Sequence, residues 1–416
     1  MSMSSRKAHN GRKIGLLLGL LFVAIVLLIG WTSVYSAPSA VFSRHATSTA
    51  PTSTRPEPEK PKAAHIATPS AVKAVYMSQC AAGTPSFRKY LTELLDTTEL
   101  NALIIDIRDY TGKISFPTEH PMLKEYVSDE CGANDMRAFL QELHDKNIYV
   151  IGRITVFQNP AYTKAHPEQA VQRAGGGVWK DNKGLAFVDV GAKDYWETVV
   201  ALAKESYEIG FDELNFDYIR FPSDGPMKEA VYTWSQGKPK PVALEEFFKY
   251  LHANVKPTGA VMSADLFGMT TTNTDDLNIG QVHERALPYF DYIAPMVYPS
   301  HYPKGFHGYN DVNANSYNIV HFSMSEAVRR TMATTTTVDS FTHTRIGTST
   351  PALYTKPAYP ASKMRPWLQD FDYPVEYTPA MVAAQIKANE DAGLNSYMFW
   401  DPSNKYSSLK QVVSAE

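Results

Sequence analysis

Residues 211–222 read FDELNFDYIRFP, an apolar and aromatic run that carries Asn215, Asp217 and Arg220 where a buried strand usually carries Val or Ile. At the two-residue period of a strand, Asn215 and Asp217 share one face, and Leu214 and Phe216 share the other. The Leu/Phe face is core. The opposite face places a carboxylate on an interior surface, where a charge needs a partner or a task.

Outward from this segment, β-branched and aromatic runs alternate with helical patterns. The spacing predicts strands over 72–78, 102–109, 148–157, 213–220, 261–267, 292–298, 364–371 and 396–401. Helices are predicted over 87–95, 136–146, 196–209, 244–254, 279–287, 324–332 and 379–392, the last with Thr378 as N-cap and Gly393 as its stop. Eight alternations in about 330 residues predict an α/β chain folded as a TIM (β/α)8 barrel with long βα loops. An open doubly wound sheet is the alternative. It lacks its Gly-rich phosphate fingerprint, because MSQCAAGTPSF after the first strand holds one glycine. The long excursions, 110–135, 158–195 and 299–323, fall on βα connections, which in a barrel build the C-terminal face. Their content, as in YPSHYPKGFHGYND and GGGVWKDNKG, suits a sugar-binding cleft, although loop aromatics equally serve as lids.

Four of the predicted strands carry an acid near the end of their apolar run: LIIDIRD at Asp106, LNFDYIRF at Asp217, MSADLFG at Asp265 and YMFWDPSN at Asp401. Barrel closure brings such ends to one mouth. Glycosidic-bond cleavage needs this grouping, since one carboxyl protonates the leaving oxygen while another attacks or activates water. Arg108, Arg153 and Arg220 are placed to hold the acids ionised or to position sugar hydroxyls. Each acid also has a plainer reading: an Asp106–Arg108 ion pair inside the barrel, loop caps at Asp217 and Asp265, and a turn at Asp401 before Pro402.

Residues 14–31, IGLLLGLLFVAIVLLIGW, form an uncharged apolar run of 18 residues after Arg6, Lys7, Arg12 and Lys13. As a helix it spans about 27 Å, close to a bilayer's hydrocarbon core. The basic flank assigns the N-terminus to the cytoplasm and the rest of the chain to the outer side. A cleaved signal peptide is the rival reading, because Ser36, Ala37, Ser39 and Ala40 follow. The organisation expected is a basic tail over 1–13, a transmembrane helix over 14–34, a disordered Pro/Ser/Thr-rich linker over 35–70, the barrel over 71–407 and a tail over 408–416. A net charge of −3 gives no general attraction to nucleic acid. Cys80 and Cys131 allow one disulfide or two separate buried thiols. His301 and His307 have no metal-site spacing around them, no G-x-S-x-G is present, and no cofactor or metal is expected.

The motifs DELNFDYIRFPSDG, SADLFGM, DYIAPMVYPSHY, RPWLQDF and SYMFWDPSN resemble those of the bacterial "putative glycosyl hydrolase domain" family over residues 72–406. That resemblance implies a glycoside-hydrolase-like TIM barrel. A more distant similarity is to family 18 chitinases, through Asp212, Asn215 and Asp217 on the fourth strand, Met296 and Tyr298 on the sixth, and Trp400 on the eighth. The chitinase acid falls at Ile219, which holds no proton to give. Amylase-type and α-galactosidase-type barrels are also similar in layout, and the analogy makes Asp217 the nucleophile and Asp265 the acid. The resulting expectation is a glycosidase acting on an extracellular or cell-envelope polysaccharide. Asp217 and Asp265 are its catalytic pair, and Asp106, Arg108, Arg153, Asn215, Arg220, Tyr298, His301, Trp400 and Asp401 surround the sugar. The alternative is a non-catalytic carbohydrate-binding or envelope-scaffold barrel. A deacetylase on the same scaffold requires a metal site that the sequence does not offer.

Overall fold

The structure, a computed structural model, describes residues 63–414. The basic tail, the apolar run and the linker up to residue 62 lie outside the described residues, and among those described no helix is long and apolar enough to cross a membrane.

Eight parallel strands close into a barrel in chain order: β1 (Lys73–Met77), β2 (Ala102–Arg108), β3 (Tyr149–Thr155), β4 (Glu213–Asp217), β5 (Val261–Phe267), β6 (Tyr292–Met296), β7 (Trp367–Gln369) and β8 (Tyr397–Trp400). Closure is made where Lys73 of β1 pairs with Tyr397 of β8. The outer layer holds helices α1 (Pro85–Asp96), α2 (Met136–Asp145), α3 (Lys193–Ile209), α4 (Lys240–Val255), α5 (His283–Ala286), α6 (Ser316–Met332), α7 (Pro379–Asp391) and α8 (Ser407–Val413). The alternation expected from the spacing is present, and an open sheet is excluded by the β1–β8 ladder.

Strand period two divides the core into two regions. Outward residues such as Leu103, Ile105, Leu214 and Phe216 pack beneath the helices in a large apolar layer. Inward residues such as Ala74, Ile104, Ile151, Ala294 and Met398 fill the barrel itself. Truncating a fully buried outer side chain such as Leu202 to Ala should cost roughly 2–5 kcal/mol. Gly152 of β3 makes room for Ile107 of β2, because a Cβ there would lie 2.2 Å from Ile107 Cδ1.

Helix α7 begins as expected, with Thr378 capping and Pro379 in the first turn, and Gly393 follows at φ +84°. The helix expected over 279–287 shrinks to α5, because Leu277, Asn278 and Gly280 all take left-handed backbone just before it. Helix α6 starts earlier than its apolar pattern, at Ser316. The ordered body extends on both sides of 71–407: Ile66 packs against the barrel interior, and Leu409 and Val413 of α8 are buried. Cys80 and Cys131 form a disulfide that joins the β1–α1 connection to the β2–α2 loop. Thr335–Thr336 form a small antiparallel sheet with Thr344–Ile346 and Leu353–Thr355.

Candidate active site

The acids of β2, β4 and β5 meet at the C-terminal mouth around one arginine. Register sets Arg153 of β3 opposite Asp106 on one side and Asn215 on the other. Its Nη1 donates to Asp106 Oδ1 at 2.6 Å, and Nη2 and Nε donate to Asp217 Oδ2 at 2.5 and 3.1 Å. The same Nε lies 3.9 Å from Asp265 Oδ2. Because both oxygens are measured from one nitrogen, Asp217 Oδ2 and Asp265 Oδ2 lie no more than about 7 Å apart.

Asp265 is 1% exposed, and its two oxygens differ. Oδ1 accepts from Asn215 Nδ2 and Trp367 Nε1, each at 2.8 Å. Oδ2 has no hydrogen-bond partner among the described residues. Burial and then the Asp217 charge push the Asp265 pKa well above the usual carboxylate range, against the pull of Arg153. Asp106 is raised to about 6 by burial, opposed by Arg153 and by the Tyr76 hydroxyl, which donates to Asp106 Oδ2 at 2.5 Å. Arg153 stays firmly charged, since Asp106 and Asp217 outweigh the cost of burying it.

The strand ends abruptly after Asp217. Tyr218 takes φ +51°, a conformation that costs a bulky residue about 1–3 kcal/mol, and its N–H donates to Asp217 Oδ1 at 2.5 Å. Beyond this turn a cavity of about 440 Å³ opens, lined by Asp217, Asp265, Arg153, Arg220, Tyr298, His301 and Trp400 among others. Trp400 stacks on Tyr76 at 3.9 Å between ring centroids and lies 4.9 Å from the Arg153 guanidinium. His301 sits edge-on to Tyr298 and Phe371. Gly268 lets the β5 and β6 loops touch, since a Cβ there would lie 2.4 Å from Met296 O.

Other residues expected at the site stand apart from the cavity wall. Asn215 reaches it only through Asp265, and Asp106 lies behind Arg153. Arg108 belongs to the outer layer: a register shift between Asp106 and Arg108 turns it to oppose Ile154, so the expected Asp106–Arg108 pair does not form. Its Nε donates to Thr155 O at 2.8 Å and its guanidinium lies over the Tyr195 ring. The Asp401 carboxylate accepts from Ser403 N, Ser403 Oγ, Lys405 N and Tyr406 N, organising the turn after β8. Ile219, at the chitinase acid position, is fully buried in the outer apolar layer.

Residues at or behind the cavity that escaped the sequence reading include Trp367, Tyr76 and Lys183. Trp367 had a usable signal, because strand alternation in RPWLQDF puts it on the inner face with Arg365. Among the described residues, no three His, Cys, Asp or Glu side chains are grouped to hold a metal ion.

A closed parallel (β/α)8 barrel whose mouth gathers acids around an arginine is a glycoside-hydrolase-like domain. The chain belongs to the family described as "Putative glycosyl hydrolase domain", whose model matches residues 74–406. It is similar to the glycoside hydrolase domain of PgaB (BpsB) from Bordetella bronchiseptica at 13% identity and a TM-score of 0.55, covering 83% of this chain and 99% of that one. A hypothetical protein from Ruminiclostridium thermocellum is 34% identical over 46% of this chain and 96% of its own, with a TM-score of 0.42. The glycoside hydrolase domain of PelA from Pseudomonas aeruginosa is 12% identical over 82% and 98%, with a TM-score of 0.43. No curated protein matches. The PgaB likeness bears on the fold alone.

Proposed function

We propose that the cavity cleaves glycosidic bonds in an extracellular or cell-envelope polysaccharide, with Asp265 as the acid and Asp217 as nucleophile or base. The observation that carries this reading is the pairing of two carboxyls on one Arg153 nitrogen, one of them pushed toward its protonated form with a free oxygen. A proton on Asp265 Oδ2 passes to the glycosidic oxygen as the C–O bond breaks, leaving Asp265 ionised. Asp217 either forms the glycosyl ester, later opened by water, or takes the proton of an attacking water. A carboxyl separation near 5–5.5 Å goes with retention and a wider one with inversion. Arg153 fixes Asp217, and Tyr298 and Trp400 present aromatic walls to the sugar. Membrane anchoring through residues 14–34, with the barrel outside the cytoplasm, agrees with the basic flank and with the Cys80–Cys131 disulfide.

The test is release of reducing ends from a glycan panel by the wild type, Asp217→Asn and Asp265→Asn. Activity in the wild type that both variants lose supports the assignment, and turnover retained in either removes that residue from it. One observation favours a second reading, a carbohydrate-binding barrel without catalysis: both Asp217 oxygens are already hydrogen-bonded within the protein. Glycan binding unchanged in Asp217→Asn, with no hydrolysis by the wild type, would select it.

A further inference from the structure

The cavity holds more positive charge than the carboxyl chemistry uses. Arg153 is matched by Asp106 and Asp217. Arg220 and Lys183, which also line the cavity, form no ion pair among the described residues. Arg220 is only 6% exposed, and its guanidinium lies between the rings of Tyr218 and Phe267, 4.7 and 4.8 Å from their centroids. Its polar contacts are a 3.0 Å bond from Nη1 to Phe221 O and one with the Tyr218 side chain. Asp217 and Asp224 act on it only at longer range, and burial pulls its pKa below the ordinary value.

A buried guanidinium held by aromatic faces without a counter-charge is costly. A sugar hydroxyl offsets little of that cost, whereas an oxyanion accepts two parallel N–H bonds and cancels the charge. Lys183 comes from the exposed loop after β3, and its charge is felt at His301 on the same wall. Arg220 and Lys183 thus place two cations without a salt-bridge partner among the described residues on one cavity wall.

Resting on the glycosidase reading above, we propose that Arg220 and Lys183 form a subsite for an oxyanionic substituent, a uronate carboxylate or a sugar sulfate, so that the substrate is an acidic polysaccharide. Arg220 supplies the bidentate contact and Lys183 closes over it from the loop.

Binding of methyl glucuronide, methyl galacturonide, glucose 6-sulfate and methyl glucoside to the full-length protein in mild detergent, followed by ligand-observed NMR, tests this without requiring turnover. At least one anionic sugar should bind tenfold or more tighter than the neutral one, and the carboxylate and sulfate arms tell the two oxyanions apart. The advantage should vanish in Arg220→Gln, shrink severalfold in Lys183→Gln and weaken as salt is raised. Lys183 is exposed, so its variant keeps the test alive if Arg220→Gln fails to fold. No preference for any anionic sugar, or a preference that survives both substitutions, overturns the subsite. Hydrolysis of neutral glycans would leave the glycosidase reading standing while the subsite fell.

Discussion

The barrel interior carries charge at both ends, and the two ends are built differently. At the N-terminal end, Glu213 and Arg365 pair at 2.9 Å, with the Tyr149 hydroxyl donating to Glu213 at 3.0 Å and Arg365 lying 3.9 Å from the Tyr292 ring centroid. One acid meets one base, and residues just before β1 cover them: Ile66 N–H donates to Asp212, and the Thr68 hydroxyl lies 3.0 Å from that of Tyr149. At the C-terminal end, three acids share one arginine and the cavity opens directly above them. A matched, sealed pair holds structure. Burial, together with an excess of acids around one cation, keeps a proton on the most burdened of them, which makes it an acid ready to donate.

That contrast is broken or sharpened by substitutions at each end. Asp265→Asn should lower turnover on the order of 10³-fold, because it removes only the proton donor. Stability at pH 7 should not fall, since the amide keeps both the shape and the acceptor for Asn215 and Trp367. Glu213→Gln should act in the opposite way, losing roughly 3–5 kcal/mol in urea unfolding by stranding buried Arg365, with turnover per folded molecule unchanged.

Asp106 should leave a signature in the pH dependence of stability. Its folded pKa, about 6, lies above the unfolded value near 3.8, so between these values the unfolded chain has released a proton that the folded chain keeps. Unfolding free energy should therefore decline as pH rises from about 4 to about 6, by roughly 2–3 kcal/mol from this group, and Asp106→Asn should flatten that slope. Tyr76→Phe is the mildest change, removing one donor from Asp106 at a cost of about 1 kcal/mol in thermal unfolding.

The architecture was legible because strand period and loop chemistry are local. FDELNFDYIRFP already separates Asn215 and Asp217 from Leu214 and Phe216, and the acids of 106, 217 and 265 share a mouth as soon as the sheet closes. What the sequence hid depends on partners far along the chain. Nothing in LIIDIRD announces the register shift that turns Arg108 outward, because the room for Ile107 is made by Gly152 on the next strand. Asp401 looks like its counterparts at strand ends, yet four donors from residues 403–406 occupy it. Trp367 reaches Asp265 across 102 residues of chain, a contact that no local pattern encodes.

Carboxyl ¹³C NMR of the Asp-labelled protein, titrated through neutral pH with Asp265→Asn as the assignment control, tests the unbalanced upper layer most directly. A resonance in the protonated range at pH 7 should disappear in the variant, distinct from those of Asp106 and Asp370, whose pKa values burial raises to about 6 and about 7. A spectrum in which Asp265→Asn removes only a resonance already ionised at pH 7 would contradict the proton on Asp265, and with it the division of labour between the two ends of the barrel.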